Sequence, residues 1–250
     1  MTQQLINWPY PRLIAHRGGG RFAPENTLAA LRCGLEHGFK MVEIDVKLSK
    51  DNVLILLHDD DIKRTSNSEG RAADKTYAEL ATLDMGQWHS VDYAGEKLPS
   101  FDEVAHFLLN NNLLCNIEIK PCSRREQITG QLVAQAAAKY FEKTNIPPLL
   151  SSFSAEALAA AQQEAPQLPR AYLCEEYDDL VRTTLKNLQC VAVNPQESSL
   201  NEDIIQNIHK DGYKVCAWTV NEHQRAIDLL RWGCDAIFTD ELVLNHASMA

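Results

Sequence analysis

Eight short apolar runs alternate with seven helix-like segments along the 250 residues of the chain, an order that predicts an α/β fold built on a parallel sheet. Eight such units in a chain of this length predict closure into a (β/α)8 TIM barrel. A third observation counts against the rival, an open doubly wound sheet: no G-x-G-x-x-G fingerprint comes after any of the runs.

The first run, "RLIAHR", is apolar until it ends in His16 and Arg17. Three glycines then lead into "PENTLAALRCGLEHG", whose spacing predicts an amphipathic helix over 26–37 with Pro24 near its start. "MVEIDVKL" is the second strand. In "SKDNVLILLHDDD" the "DN" pair reads as a tight reversal, so that 53–57 folds back or extends the strand region. Residues from approximately 59 to 99 form a polar insertion far longer than an ordinary βα connection, with a short helix near 77–83. Long βα loops shape the mouth of a barrel's site. Beyond it, helices over 101–110, 124–143, 155–164, 177–187, 202–211 and 222–232 separate the strands "LLCNIEIK", "PLLSSF", "RAYLCE", "CVAVNP", "KVCAWTV" and "AIFTD", and "ELVLNHA" closes the chain. With no linker, repeat or low-complexity tract, residues 1–250 read as one TIM-barrel domain carrying one small insertion after the second strand.

Composition narrows the function. A net charge of −10 argues against nucleic-acid or anionic-membrane partners, which select basic surfaces. No apolar run approaches the roughly 20 residues that span a bilayer. "MTQQLINWPYPR" lacks a basic region leading into an apolar signal core, so a cytoplasmic location is expected. The seven cysteines are odd in number and without a CxxC pair, which reads as free thiols in a reducing compartment, not structural zinc. The outer helices commit to no oligomeric state.

The ionisable residues are placed unusually. Glu43 and Asp45 share the second strand at i and i+2, so their side chains point the same way. Glu118 and Lys120 repeat that spacing at the end of the third long strand, and His58 closes "VLILLH". The C-terminal strand ends of a barrel share one rim, so these residues, with His16 and Arg17, would converge there. Three carboxylates cannot crowd one site as bare anions. A divalent cation is the natural counter-charge, and an all-oxygen set favours Mg²⁺ or Ca²⁺ over zinc. Three carboxylates and one such ion leave about one negative charge, and Arg17 and Lys120 add two positive ones; an excess of roughly one positive charge suits a singly charged anion such as a phosphodiester. Its cleavage needs a base and an acid, and His16 and His58 can supply either. Arg17 reads as a phosphate clamp, and the glycines as a turn letting backbone approach the anion.

Taken jointly, "AHRGG…PENT", "EIDVKLSKDN…LLHD", "RTSN", "LPSFDEV", "NIEIKP", "SSF", "WTVN" and "FTD" resemble, in order and spacing, the glycerophosphodiester phosphodiesterases, most closely the cytosolic bacterial members. The resemblance runs from Leu13 to Asp240. It implies a TIM barrel with a small insertion and metal-dependent hydrolysis of glycerophosphodiesters to glycerol 3-phosphate and an alcohol. By position it implies that Glu43, Asp45 and Glu118 hold the metal. His16 and His58 would be the acid/base pair, Arg17 and Lys120 the phosphate contacts, and Phe153 and Trp218 apolar walls near the glycerol. A route proposed for the family begins with attack by the substrate's own 2-hydroxyl, giving a cyclic phosphate. Gly20 departs mildly from the family pattern.

Plainer readings stand beside these. A strand-end histidine is often a hydrogen-bonded structural residue, "EID" and "EIK" can be solvent-facing alternation, and Trp218 and Phe153 can be barrel packing. Asp240 reads as a brace of the last turn, and Asp59 to Asp61 as a solvated loop. His37, His89, His106, His209, His223 and His246 read as surface or incidental, and Trp8 and Tyr10 as a cover for the barrel bottom. A Mg²⁺-dependent lyase would need Lys120 as a Schiff base or proton abstractor and leaves the histidine pair unexplained. A phosphate sensor would be expected to lack one of the five histidine and carboxylate positions, and all five are present.

Overall fold

Strands that alternate inward and outward every second residue can close a barrel only if both faces are apolar or specifically paired. A computed structural model describes residues 8–244 and shows this arrangement; His246 lies outside the described residues. In chain order the elements are β1 (Leu13–Ala15), α1 (Leu28–Glu36), β2 (Met41–Leu48), β3 (Leu54–Leu56), α2 (Tyr77–Leu80), α3 (Phe101–Asn110), β4 (Leu114–Ile119) and α4 (Glu126–Tyr140). Next come β5 (Leu149–Ser152), α5 (Ala155–Glu164), β6 (Arg170–Cys174), α6 (Asp179–Asn187), β7 (Ala192–Pro195), α7 (Glu202–Lys210), β8 (Lys214–Ala217), α8 (His223–Arg231) and β9 (Ala236–Thr239). Parallel pairing runs β1-β9-β8-β7-β6-β5-β4-β2, and Ala15 opposite Val42 joins β1 to β2 and closes the barrel. The predicted TIM barrel is the fold.

β3 is the one antiparallel strand among the described residues, with Val46 opposite Leu56 and Leu48 opposite Leu54. The "DN" reversal therefore folds the chain back along β2. Asn52 takes the left-handed backbone (φ 62°) that the tight turn requires.

The period of two decides what each strand contributes. Outward residues such as Val42, Ile44, Ile117, Val193 and Val215 pack against the surrounding helices. Inward, Ile14, Met41, Leu149, Ala171 and Cys216 plug the lower barrel, with Tyr10 beneath them and Trp8 edge-on to Tyr10. Truncating one such fully buried residue, Ile44→Ala for example, removes about 2–5 kcal/mol. Two residues further along the same strands stand His16, Glu43, Ser151, Leu173 and Trp218, where the barrel opens.

Helix starts differ from the periodicity where a cap decides them. Thr27 accepts the Ala30 N–H and Asp178 that of Val181, so α1 and α6 begin two residues later than expected. α4 begins after Arg124, which has φ 68° and cannot continue a helix. Residues of the 59–99 segment bury a small apolar cluster of their own, Ile62, Leu80, Met85 and Leu98 against Ile55 of β3. α2 is a single turn, opened by a Thr76–Glu79 capping box. Among the described residues no helix is long and apolar enough to cross a membrane, and all seven cysteines are buried free thiols.

Candidate active site

β1 delivers His16 and Arg17 to the upper rim. Arg17 is left-handed (φ 51°), and this turn aims its N–H at Glu43 Oε2, 2.9 Å away, on neighbouring β2. Its guanidinium lies 3.5 Å from Asp45 Oδ2 and 2.8 Å from Glu25 Oε1. The glycines after it are closely packed. Gly20 N–H donates to His16 O, and a Cβ on Gly20 would fall 2.2 Å from Asp240 O. A Cβ on Gly18 or Gly19 would crowd α1 or Ala23. The run packs closely against α1 and the Asp240 turn.

Glu43 and Asp45, from β2, and Glu118, from β4, place carboxylate oxygens within 4.8 Å of one another, all buried. The ladder explains this: Asp45 lies opposite Glu118, and Glu43 opposite Asn116. Burial raises the Glu43 carboxyl well above the usual range, and the Asp45 and Glu118 charges raise it further. Glu118 is raised by the same burial and by Asp45, against the opposing pull of Lys120. Burial would raise Asp45 too, but Arg17, His58, Lys120 and the Asn26 amide outweigh it and hold it below the usual range. Glu43 Oε1 is buried with no hydrogen-bond partner. An orphaned carboxylate oxygen among two more carboxylates is what a hard cation would satisfy, so the residues fit a divalent ion.

His58 arrives by way of β3. Because that strand runs back down β2, with Leu57 N–H on Asp45 O, His58 returns to the level of Asp45. Its Nδ1 is 2.6 Å from Asp59 Oδ1, and His16 Nδ1 is 2.7 Å from Asp240 Oδ1. Burial lowers His58 below its ordinary value, outweighing the pull of Asp45, with Arg17 and Lys120 pushing the same way. Lys120 Nζ is 2.7 Å from Glu118 Oε1 and 3.9 Å from Asp45 Oδ1. Burial would lower it, but those two carboxylates outweigh that and hold it protonated. Phe153 and Trp218 meet edge to face at 5.3 Å, and the Phe153 ring also receives Lys120 Nζ at 5.5 Å from its centroid. The two histidines, Arg17, Glu43, Glu118, Lys120 and the Phe153–Trp218 pair line one cavity of about 100 Å³; Asp45 is buried but does not line it.

Several residues here escape the sequence reading. Asn26, read as the first helical residue, has φ 58° and donates from Nδ2 to Asp45 Oδ2 while its Oδ1 accepts the Asp45 N–H. Arg64, from the 59–99 segment, donates to both oxygens of Glu25 and through Nε to Asp59 Oδ2. One guanidinium thus ties the partner of Arg17 to the partner of His58. Asp59 and Asp60 are therefore not merely solvated: Asp59 is held down to about 2 because the Arg64 and His58 bonds outweigh its burial, and Asp60 pairs with the fully buried Lys47 at 2.9 Å. Asp240 is more than a brace, since it orients His16 and is itself fixed by Asn221 Nδ2 at 2.8 Å. His209 is structural, 2.8 Å from Asp235, an acid that also receives Lys214. The signal for Asn26 was the "PENT" stretch itself, where Thr27 can cap the helix in its place; Arg64 opens the "RTSN" stretch, but nothing local gives its partners.

A family model described as the glycerophosphoryl diester phosphodiesterase family matches residues 16–244. The chain belongs to that family. A glycerophosphodiester phosphodiesterase of Caldanaerobacter subterraneus subsp. tengcongensis is 31% identical over 235 residues, covering 92% of this chain and 93% of the relative. A Bacillus subtilis protein of the same name is 29% identical over 249 residues, covering 93% and 84%. Among solved structures, an Oleispira antarctica phosphodiesterase in complex with the product sn-glycerol-3-phosphate superposes with a TM-score of 0.86 at 34% identity, covering 92% of this chain and 93% of that one. Like its relatives, this family member is an enzyme of glycerophosphodiester cleavage.

Proposed function

We propose that the enzyme hydrolyses soluble glycerophosphodiesters to sn-glycerol 3-phosphate and an alcohol, using His16 and His58 as the acid/base pair. The observation that carries the reading is the matched fixing of the two imidazoles. Each is held through Nδ1 by a carboxylate, which leaves Nε2 for proton transfer, and both line the cavity that also holds Arg17, Lys120 and the carboxylate cluster. His58, held neutral near pH 7 by its burial, has the form a base needs. His16 takes the complementary role and moves a proton at the opposite oxygen. Arg17 and Lys120 flank the phosphate charge, and Phe153 and Trp218 wall the glycerol carbons.

Glu43, Asp45 and Glu118 are the residues that would hold a divalent cation, Mg²⁺ or Ca²⁺. Bound there it would withdraw charge from a phosphoryl oxygen. The lyase alternative loses support because Lys120 is held as an ammonium by Glu118 and Asp45, the wrong form for a Schiff base. The net charge of −10 suits a cytoplasmic enzyme of small diesters better than one that works at an anionic membrane surface. Residues 1–250 as one catalytic domain with an insertion at 59–99 belong to the same reading.

The test is release of glycerol 3-phosphate from glycerophosphocholine after chelation, then with Mg²⁺ or Ca²⁺ restored. Ion-dependent release is expected. Silence from folded protein with both ions, across several glycerophosphodiesters, would overturn the reading.

A further inference from the structure

The cavity holds a side-chain amide that nothing in the fold uses. Asn194 on β7 is fully buried, and neither Oδ1 nor Nδ2 has a hydrogen-bond partner. It stands two residues past Ala192, which packs in the lower barrel, so its side chain faces inward by the strand period. Asn116 on β4 repeats the pattern two residues past Leu114: its Nδ2 donates to Ser151 Oγ at 2.8 Å, but its Oδ1 is buried and unpaired. All three residues line the cavity. They stand at the level of Glu43, which Asn116 faces across the ladder, and one step below Glu118 and Lys120, and the Trp218 indole donates to Asn194 O.

Leaving a buried donor or acceptor unmade costs about 1–3 kcal/mol. Packing does not demand it here, because the residue opposite Asn194 on β6 is Leu173, an apolar side chain of similar size. A cavity of about 100 Å³ is also larger than one water needs, about 10–15 Å³. We propose that Asn194, with Asn116 lining the same cavity, reads the terminal hydroxyl of the retained glycerol, making the inner wall just above the barrel plug the specificity site for a polyol phosphate. The match is chemical: a hydroxyl donates one hydrogen bond and accepts others, and the free amide atoms offer an acceptor and a donor. The glycerol then points into the barrel, and the leaving alcohol points to the mouth by the half-exposed Phe153. The enzyme would be selective for the buried end and permissive for the other.

This inference rests on the diesterase reading, and the experiment separates the two. Wild type and Asn194→Leu are compared on glycerophosphocholine and on the matching diester of propane-1,2-diol, which keeps the 2-hydroxyl but lacks the terminal one. Wild type should prefer glycerophosphocholine by about 10²–10⁴-fold in kcat/KM, because a site built to bond a hydroxyl rejects the analogue that lacks it. In Asn194→Leu the preference should fall below about 10-fold, with an unchanged or higher Tm, since an unpaired amide has been replaced by a side chain of its own size. An unchanged preference in the variant, or none in wild type, overturns the proposal. Calorimetry decides independently of turnover. Wild type should bind glycerol 3-phosphate more tightly than propane-1,2-diol 1-phosphate, and the variant should bind the two alike. Wild type inert on both diesters refutes the diesterase reading, while the calorimetric comparison still upholds or overturns the role of Asn194.

Discussion

Replacing Glu43 with glutamine should stabilise the enzyme without metal and weaken its response to metal, two effects of opposite sign from one substitution. At an effective dielectric of about 20, two unit charges 4.8 Å apart repel by about 3.5 kcal/mol. Glu43 faces two such neighbours, Asp45 and Glu118, and its own raised carboxyl shows that protonation already discharges part of that repulsion. Removing the remainder should raise the midpoint of the chelated protein by at least about 2 °C, given about 2–4 °C per kcal/mol for a chain of this size. The gap should widen as pH rises. A carboxyl whose folded pKa lies above its unfolded value near 4.3 contributes stability at low pH that is lost as pH climbs through the folded pKa, and the variant lacks that loss. With an ion at a hundred times its dissociation constant, wild type should gain about 2.7 kcal/mol, or roughly 5–11 °C. Asn26 still holds Asp45 and Lys120 still holds Glu118 in the variant, so the fold should survive while most of that gain disappears. Scanning calorimetry with chelator, Mg²⁺ and Ca²⁺ at several pH values reads all three quantities. A variant that melts lower than wild type in chelator and gains the same shift with the ion would refute the assignment of Glu43 as a ligand.

The remaining predictions concern the imidazoles. His16→Ala and His58→Ala should each lower kcat by about 10²–10⁴-fold while circular dichroism and Tm stay near wild type; near-normal turnover by either removes that histidine from the mechanism. Asp59→Asn removes the anion that bonds His58 Nδ1 and favours its charged form, so the pKa of His58 should fall. The limb of the pH–rate profile that reports His58 should move to lower pH whether it serves as base or acid. NMR titration of the imidazole checks the direction independently, and an upward shift would contradict the electrostatics.

Much of this was legible in the chain. The alternation of "MVEIDVKL" and "LLCNIEIK" with amphipathic helices determined a parallel barrel, because buried strands read as apolar runs and helices as a 3.6-residue stripe. The same period of two put Glu43 with Asp45, and Glu118 with Lys120, on one face, so the carboxylate cluster and its two cations could be read as a set. His16 and His58 were visible as polar ends of apolar runs. What tertiary structure alone decided is who holds whom. Asp240 lies 224 positions from the His16 it orients, and Arg64 lies 39 from Glu25. No local pattern encodes such contacts; barrel closure and the β3 reversal create them. Asn26 changed roles for a related reason: its hydrogen bonds to Asp45 outweigh two more helical residues, and that partner exists only once β2 lies beside the first loop. The glycine run reads locally as a flexible turn, and only the approach of α1 and Asp240 shows how little room a side chain would have there. Asn194 is one amide among apolar neighbours in "CVAVNP", and only the closed barrel shows that it is left without a partner.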